Sequence, residues 1–323
     1  MKVTITGGAG YIGSTLAEQL LAAGHEVRVL DRLLFGQQAV ADALEAMGAE
    51  VLIGDVRDAA DRAAALDGCE ALVHLAAIVG DPACARDPEV AAETNVEATL
   101  ALIEDARRTA VGRIVFASTC SNYGRSSVPT VALDETAPLA PVSLYARQKV
   151  AVEKLLLSGV APATCLRFAT VYGAGRRMRF DLTVNEFTRD LWAGRRLEVF
   201  GEQFWRPYVH VADAARGVAL VLSQPAEAVE GRVFNVGHSD ENYTKKHLVE
   251  LITTRLGRGD VIYVHRDEDP RDYKVSFARV REELGYEPLM RVRDGIDEII
   301  DGLEAERFGD PFAPAFSNIG APA

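Results

Sequence analysis

The sequence predicts an α/β fold, in which a doubly wound parallel sheet carries helices on both faces. In the first half of the chain, short apolar runs alternate with segments of helical periodicity, which is the pattern of strand–helix–strand units. The first apolar run leads directly into a glycine-rich turn at residues 7–13, where a helix is expected to begin. Alternating strands and helices joined by right-handed crossovers give a parallel sheet that is covered on both sides.

The elements of the first half follow from these patterns in order. Apolar runs predict strands at residues 3–6, 27–30, 51–53, 71–75, 114–117 and 164–168. Helical periodicity predicts helices at residues 11–23, 39–47, 59–66, 89–108 and 145–157. Gly24 stands directly after the first helix, where glycine commonly ends a helix because it adopts the left-handed conformation without strain.

The second half of the chain has a more mixed pattern. It predicts helices at residues 181–193, 213–222 and 244–256, and strands at residues 197–200, 232–236 and 261–264. Asp213 and Thr244 are the expected N-caps of two of these helices. We therefore expect a first domain at residues 1–170 and a smaller, mixed α/β domain at residues 171–323, with segments near residues 205–240 returning to the first.

The composition is that of a soluble globular protein, with 48% apolar and 25% charged residues. The formal net charge is −12 and no stripe of lysine and arginine is present, which argues against a nucleic-acid partner. Arginine pairs at residues 107–108, 176–177 and 195–196 are scattered, and only the middle pair falls in a segment of interest for the site. No run approaches the roughly 20 apolar residues of a membrane span, so no membrane partner is expected. The four cysteines show no CxxC spacing, which predicts reduced thiols in a cytoplasmic protein and no metal site.

The glycine-rich turn is the first candidate site. Gly7, Gly10 and Gly13 are spaced three apart, with Tyr11 and Ile12 between the last two, and the turn joins the first strand to the first helix. This context is the one that a dinucleotide fingerprint requires. The glycines permit a tight turn and close backbone approach, so that a pyrophosphate binds at the helix N-terminus.

An acidic residue at the end of the second strand strengthens the prediction of a dinucleotide site. The Asp31 carboxylate would accept hydrogen bonds from ribose hydroxyls and repel a 2′-phosphate, which favours NAD over NADP. Arg32 next to it weighs toward NADP, and the alternative for Asp31 is a simple strand cap. Later strand ends supply further expected cofactor contacts, namely Asp55 and Val56 beside the adenine, and Leu75, Ala76 and Ala77 along the cofactor.

Tyr145 and Lys149 are the candidate catalytic pair. On a helix, a spacing of four places both side chains on one face. An ammonium close to a phenol favours the phenolate, so the sequence predicts that the pKa of Tyr145 falls below its usual value of roughly 10. Such a phenol would exchange a proton with an alcohol near neutral pH, while the dinucleotide accepts or donates hydride.

With these residues assembled, the chain resembles the extended short-chain dehydrogenase/reductase superfamily, and within it the nucleotide-sugar epimerases and dehydratases. The segments that carry the resemblance are residues 6–13, 74–77, 95–96, 118–124, 145–149, 166–173 and 205–213. The resemblance implies a Rossmann-type NAD domain, a smaller C-terminal domain, and a nucleotide-diphosphate sugar bound in the cleft between them. It also implies a homodimer formed through the helices predicted at residues 89–108 and 145–157.

The resemblance also implies roles for individual residues. Tyr145 would be the acid/base, Lys149 would hold the nicotinamide ribose, and Thr119 would hydrogen-bond the reacting sugar oxygen, or simply cap the end of its strand. Tyr172 and Gly173 would lie near the nicotinamide, and Arg206 would bind the substrate diphosphate. Arg271 would bind phosphate or form a surface ion pair. Asn185 would contact phosphate or sugar, or else be a solvated residue of its helix. His74 and His210 are interpreted as structural.

Departures from the family pattern bear on the reaction. Sugar 4,6-dehydratases that resemble this chain carry an Asp-Glu pair just after the Ser/Thr, whereas this chain has Cys120 and Ser121. Related sugar-acid decarboxylases usually have Glu at the position of Ser121. Many 4-epimerases have an Asn that contacts the substrate at the position of Thr170, so Thr170 is a candidate substrate contact that leaves the sugar open.

The main hypothesis is an NAD-dependent nucleotide-sugar epimerase that acts through transient oxidation at sugar C4. The alternative is an NAD(P)H-dependent reductase of a nucleotide-linked 4-keto-6-deoxy sugar, which would use the same residues. Two further hypotheses are an atypical dehydratase in which the Cys120 thiol serves as acid or base, and a non-catalytic nucleotide-sensing protein.

Overall fold

A computed structural model describes residues 1–126, 128, 131–266 and 271–318 of the chain. The strands are β1 (Lys2–Thr6), β2 (Glu26–Asp31), β3 (Glu50–Ile53), β4 (Ala71–His74), β5 (Arg113–Thr119), β6 (Ala132–Leu133), β7 (Ala163–Phe168), β8 (Thr170–Tyr172), β9 (Leu197–Phe200), β10 (Trp205–His210), β11 (Arg232–Val236), β12 (Asn242–Thr244), β13 (Val261–Val264) and β14 (Lys274–Val275).

The α-helices lie between these strands and after the last of them. They are α1 (Tyr11–Ala22), α2 (Gln38–Ala46), α3 (Ala59–Leu66), α4 (Asp81–Arg86), α5 (Pro88–Ala92), α6 (Ala98–Arg108), α7 (Leu144–Leu155), α8 (Thr183–Trp192), α9 (Val211–Ser223), α10 (Ala226–Val229), α11 (Lys245–Leu256), α12 (Ala278–Leu284) and α13 (Val292–Glu304). Of the described helices, none is long and apolar enough to cross a membrane.

A seven-stranded sheet in the order β11-β7-β5-β4-β1-β2-β3 forms the centre of the molecule. Every neighbouring pair in it is parallel, which confirms the predicted doubly wound α/β fold. Its central strands are runs of β-branched residues, such as Val3 and Ile5 of β1 and Val73 of β4, whose side chains are buried. A parallel sheet with helices on both faces requires such continuous apolar runs.

The strand order reverses at β1 and β4, which are neighbours although two strands of the sequence separate them. Both strands run in the same direction, so their carboxyl ends lie side by side. The connections leave this edge to opposite faces of the sheet and open a crevice, the usual ligand position in such folds.

Smaller sheets form the rest of the molecule. The strands β12, β10 and β8 make a three-stranded sheet, and β13 pairs with β9. The chain returns to the large sheet through β11, whereas β10 stays in the small one. The division into two domains at residue 170 stays a prediction.

Most predicted strands and helices are confirmed to within one or two residues. Gly24 adopts the left-handed conformation with φ +80° after the end of α1, and Thr244 caps α11 by accepting from the backbone N–H of His247. The helix predicted at residues 89–108 is interrupted, because a π-helical turn at Glu93–Glu97 separates α5 from α6. Several described elements were not predicted, because their short or mixed patterns lack a clear period. They are β6, β8, β10, β12, β14, α4, α10, α12 and α13.

The predicted N-cap role of Asp213 is wrong. His210 caps α9 instead, since its Nδ1 accepts a hydrogen bond from the backbone nitrogen of Ala212 at 3.2 Å. The fully buried Asp213 carboxylate accepts hydrogen bonds from the backbone nitrogens of Leu289 and Met290 at 2.8–3.0 Å. It therefore holds the segment that leads into α13, a contact that sequence spacing does not show.

Candidate active site

A cleft of about 540 Å³ lies over the carboxyl ends of β1, β2, β4 and β5, closed on the other side by residues of the second half of the chain. Most of the predicted site residues line it. They are Gly7, Gly10, Tyr11, Ile12, Gly13, Asp31, Asp55, Val56, Leu75, Ala76, Ala77, Thr119, Cys120, Tyr145, Lys149, Thr170, Arg206 and Arg271. The fold thus brings residues from positions 7 to 271 to one surface.

The glycine turn is shaped by two close backbone contacts. Gly7 has φ +73°, and a Cβ on Gly13 would lie 2.3 Å from the Gly7 carbonyl oxygen. Side chains at these positions would therefore block the turn from folding against the helix. Helix α1 starts at Tyr11, and the N–H groups of its first turn can donate hydrogen bonds to an anion. The turn therefore fits a dinucleotide diphosphate.

The Asp31 carboxylate is held in place at the end of β2. Its Oδ2 accepts from the backbone nitrogen of Ala9 at 3.0 Å, and its Oδ1 accepts from that of Leu33 at 2.9 Å. Asp31 is therefore a cap of the turn and also lines the cleft. Arg32 does not compete for it, because its Nε lies 3.0 Å from the Asp55 carboxylate. Because Arg32 pairs with Asp55, the Asp31 carboxylate keeps its negative charge where the ribose would bind. This arrangement fits NAD.

Tyr145 and Lys149 lie on one face of α7, as the spacing predicts. Ser143 caps this helix by accepting from the backbone nitrogen of Ala146 at 3.2 Å. The Lys149 ammonium is buried, with its nitrogen 5.8 Å from the centre of the Tyr145 ring and 4.7 Å from that of Phe116. The helix start and the sheet beneath it therefore fix both groups in the cleft.

The predicted fall in the pKa of Tyr145 is wrong for this geometry. Burial raises the pKa of the Tyr145 phenol, and the nearby Cys84 and Asp81 raise it further. Burial also lowers the pKa of Lys149 from 10.5 to about 8. Desolvation disfavours the charged form of both groups, because the phenolate and the ammonium both lose water on burial.

Thr119 ends β5 and faces the same cleft. Its hydroxyl oxygen accepts from the backbone nitrogen of Ser121 at 3.1 Å, so it caps the 3₁₀ turn Cys120–Tyr123. This cap leaves the hydroxyl hydrogen available to donate. The Thr119 side chain can therefore cap the turn and hydrogen-bond a substrate at the same time.

The two predicted phosphate ligands come from the second half of the chain. Arg206 extends from β10, where its Nη1 donates to the Trp205 carbonyl oxygen at 2.7 Å. Arg271 forms an ion pair with Asp81 across the cleft, with 3.0 Å between Nη1 and Oδ2. The ion-pair alternative for Arg271 is therefore observed, and its guanidinium still lines the cleft beside Tyr273.

Comparison with known proteins agrees with this geometry. The model of the NAD dependent epimerase/dehydratase family matches residues 3–237. The chain belongs to this family. Its cofactor is therefore NAD and its members are enzymes, as the glycine turn and Asp31 predict.

Individual members of the NAD-dependent epimerase/dehydratase family resemble nearly the whole chain. A UDP-glucose 4-epimerase of Corynebacterium glutamicum is 30% identical over 309 residues, which cover 89% of this chain and 91% of that protein. A dTDP-glucose 4,6-dehydratase of Streptomyces niveus is 29% identical over 328 residues, which cover 95% and 94%. The crystal structure of the Thermus thermophilus UDP-glucose 4-epimerase in complex with NAD is 29% identical, with a TM-score of 0.81 and coverage of 94% and 99%.

Three residues implied by the family resemblance do not line the cleft, namely Tyr172, Gly173 and Asn185. Tyr172 is fully buried, with its ring against Tyr208 and His210, so it is a core residue of the small sheet. Asn185 is also fully buried, and its side chain bonds the backbone of Gly173 and Arg179. Both are corrected to structural residues, because the fold turns them away from the cleft.

The role suggested for Cys120 as an acid or base at sugar C6 is also corrected. Its side chain is 1% exposed, and the sulfur lies 3.2 Å from the Arg167 carbonyl oxygen, to which the thiol donates. Burial raises the pKa of Cys120 well above its usual range. A neutral thiol directed into the sheet neither donates to nor accepts from a sugar in the cleft.

Several residues in and around the cleft were not predicted from the sequence. A buried ion pair behind Thr119 joins Glu153 to Arg167, with 2.5 Å between Oε1 and Nη2, and Ser118 donates to the same carboxylate at 2.5 Å. Tyr273 lines the cleft and hydrogen-bonds Ser121. Glu153 lies on α7 and Arg167 on β7, so no local spacing marked their ion pair, and nothing local marked Tyr273.

Proposed function

We propose that this chain is an NAD-dependent nucleotide-sugar epimerase that oxidises its substrate transiently at sugar C4. The observation that carries the proposal is the surroundings of Thr119. Tyr145 and Lys149 face the same cleft, while the next two residues are the buried thiol of Cys120 and the hydroxyl of Ser121. The chain thus has groups for removing a proton and hydride at C4, and neutral groups where a dehydratase carries two carboxyls.

Tyr145 supplies the proton-transfer step. As the phenolate, which the positive charge of bound oxidised NAD would favour, Tyr145 would take the proton of the C4 hydroxyl while hydride passes from C4 to NAD. It would return the proton after the sugar has turned and hydride has gone back to C4. Thr119 donates a hydrogen bond to the C4 oxygen and holds it beside Tyr145. The NAD cofactor supplies the hydride acceptor and donor when bound. Lys149 donates to the nicotinamide ribose and places a positive charge beside the phenol.

Arginine side chains support a nucleotide diphosphate at the other end of the cleft. Arg206 and Arg271 lie along one wall, and a guanidinium matches phosphate oxygens in charge and in the spacing of its donors. The relatives include a UDP-glucose 4-epimerase and a dTDP-glucose 4,6-dehydratase. We infer a pyrimidine nucleotide sugar as substrate.

The test is product analysis with a substrate that carries deuterium at C4. UDP-glucose, UDP-galactose, UDP-glucuronic acid and dTDP-glucose are incubated with the purified protein, and products are examined by NMR and mass spectrometry. Epimerisation gives an unchanged mass, retained deuterium and no net use of NADH. Loss of water would establish dehydration. The reductase is tested separately with a nucleotide-linked 4-keto-6-deoxy sugar and added NADH, where a gain of two hydrogens with use of NADH would establish it.

Tyr145→Phe decides whether the chemistry belongs to this site. We expect it to lower turnover by about 10²–10⁴-fold, the usual contribution of a general acid–base group. NAD stays bound, because the ring remains in place. Tyr172→Phe is the matched control, since that ring is buried in the small sheet away from the cleft, and it keeps most of the activity. Turnover that survives Tyr145→Phe would overturn the assignment.

A further inference from the structure

Arg177 is a buried cation on the wall of the cofactor cleft. Its residue is 6% exposed, and its guanidinium carbon lies 4.3 Å from the centre of the Phe35 ring. Its Nε has no hydrogen-bond partner among the described residues, and its Nη2 approaches the Ala315 carbonyl oxygen at 3.5 Å. The described residues therefore leave the donor capacity of Arg177 partly unused.

The carboxylates near Arg177 are engaged elsewhere. Asp181 accepts from Nε and Nη2 of Arg179 at 2.9 and 2.7 Å. Asp31 attracts the Arg177 charge, but both of its oxygens accept from backbone nitrogens. Burial of a cation without a paired carboxylate costs several kcal/mol by general estimates. Such a group is expected where an anion from outside completes the site.

The loop that carries Arg177 is fixed to the helix that follows the glycine turn. The hydroxyl of Tyr11 donates to the Gly173 carbonyl oxygen at 2.5 Å, and a Cβ on Gly175 would lie 2.8 Å from the Tyr11 ring. Arg176 forms an ion pair with Glu18 of α1, with 2.8 Å between Nε and Oε2. These contacts place Arg177 between the N-terminus of α1 and the acid at the end of β2.

A second buried polar atom without a partner lies on the same wall. The Asn318 side chain is 8% exposed and lines the cleft, and its Oδ1 has no hydrogen-bond partner among the described residues. Its backbone nitrogen donates to Asp181 at 2.9 Å, which fixes the segment beside Arg177. An unused donor and an unused acceptor thus lie on the same wall of the cleft.

We propose that Arg177 binds the diphosphate of NAD, so that the second half of the chain holds the cofactor from the side opposite the glycine turn. The N–H groups of α1 would contact one side of the diphosphate and the Arg177 guanidinium the other. Phe35 keeps the guanidinium plane fixed by stacking. NAD would then leave only after the loop at residues 173–177 separates from Tyr11, which suits an enzyme that regenerates its cofactor at each turnover.

The inference rests on NAD as the cofactor and is independent of epimerisation, so binding tests it without turnover. Protein freed of cofactor is titrated calorimetrically with NAD, with ADP-ribose and with adenosine. We expect Arg177→Gln to weaken NAD and ADP-ribose at least tenfold and to change adenosine binding little, because only the first two carry the diphosphate. Arg177→Lys should show an intermediate loss, since it keeps the charge without the planar fork.

Arg196→Gln is the matched control. It removes an exposed arginine that pairs with Asp260 away from the cleft, and NAD affinity should change less than twofold. Thermal unfolding without NAD separates binding from folding. Because it removes a buried unpaired charge, Arg177→Gln should leave the melting temperature unchanged or raise it, while the stabilisation by added NAD shrinks. Unchanged NAD affinity, an equal loss for adenosine, or a lower melting temperature without NAD would overturn the proposal.

Discussion

Burial sets the charge of Tyr145 and Lys149, the two residues of α7 that face the cleft. Lys149 is 4% exposed beneath Tyr145, and its ammonium lies over the Phe116 ring. Burial therefore lowers the pKa of Lys149 to about 8 and raises the pKa of the Tyr145 phenol above its usual range. The positive charge of bound oxidised cofactor would favour the phenolate when the reaction begins.

Replacing Lys149 should change the pH dependence of stability. The pKa of Lys149 falls from 10.5 in the unfolded chain to about 8 in the folded one, so between these values the unfolded chain binds the extra proton. The contribution of Lys149 to the free energy of unfolding therefore rises with pH across this window and is least favourable below pH 8. Lys149→Met should stabilise the cofactor-free protein most below pH 8, and the gain should shrink by about 3 kcal/mol toward pH 10.5.

Urea unfolding at a series of pH values measures this effect. Lys154→Met, which removes an exposed lysine of the same helix, is the control and should leave the pH slope unchanged. A difference between Lys149→Met and the native protein that stays constant from pH 7 to pH 10 would show that the ammonium is not desolvated.

Cys120→Ser tests whether the thiol takes part in chemistry. The serine hydroxyl can donate to the Arg167 carbonyl oxygen as the thiol does, so the turn after β5 should stay in place. We expect turnover to change by less than about threefold, whereas loss of an acid or base would cost about 10²–10⁴-fold. Cys165→Ser, a fully buried cysteine of β7, controls for the cost of a buried hydroxyl. A selective collapse of turnover in Cys120→Ser would restore the dehydratase hypothesis.

At the scale of elements, the π-helical turn at Glu93–Glu97 connects the cleft to α7. Asn95 in this turn accepts from the backbone nitrogen of Ile78 at 2.8 Å and donates to its carbonyl oxygen at 3.0 Å. The same amide donates to Gln148 of α7 at 2.9 Å. The extra residue of the π turn directs Asn95 to this position.

Asn95→Ala should destabilise the protein by about 2–3 kcal/mol, because it leaves buried backbone groups of Ile78 without partners. Denaturant unfolding measures the loss. Thr94→Ala is the control, since Thr94 lies in the same turn and its hydroxyl has no partner among the described residues, so its replacement should cost less. Equal losses in the two variants would indicate general repacking of the turn.

At the scale of the whole molecule, we propose that the protein is a homodimer formed through the helices that follow β4 and precede β7. Leu100 on α6 and Leu155 on α7 are 38% and 37% exposed, so both helices carry apolar side chains at the surface. Burying such side chains between two copies would stabilise a helix bundle.

Light scattering of the eluting protein tests the dimer. The native chain should show about twice the mass of a 34.9 kDa monomer. Leu100→Glu should shift the protein to monomer, because a charge would be buried in the contact. Leu289→Glu is the control, since Leu289 is 71% exposed on a different surface, and the mass should not change. A native monomer would contradict the proposal.

The sequence by itself determined the parts of this protein that depend on near neighbours. Apolar runs and helical spacing located the strands of the large sheet, because both periods are local properties of the backbone. The glycine turn and Asp31 identified the cofactor for the same reason, and the spacing of Tyr145 and Lys149 predicted one shared face, from which both line the cleft.

Only the tertiary structure decided what depends on burial and on distant partners. Asn185 and Tyr172 proved to be buried away from the cleft, and the pKa of Tyr145 rises because surrounding elements exclude water from it. The position of Arg177 follows from a contact between Tyr11 and Gly173, which are 162 residues apart. Charge state, orientation and pairing are set by groups that meet only when the chain has folded, and residue spacing carries no record of them.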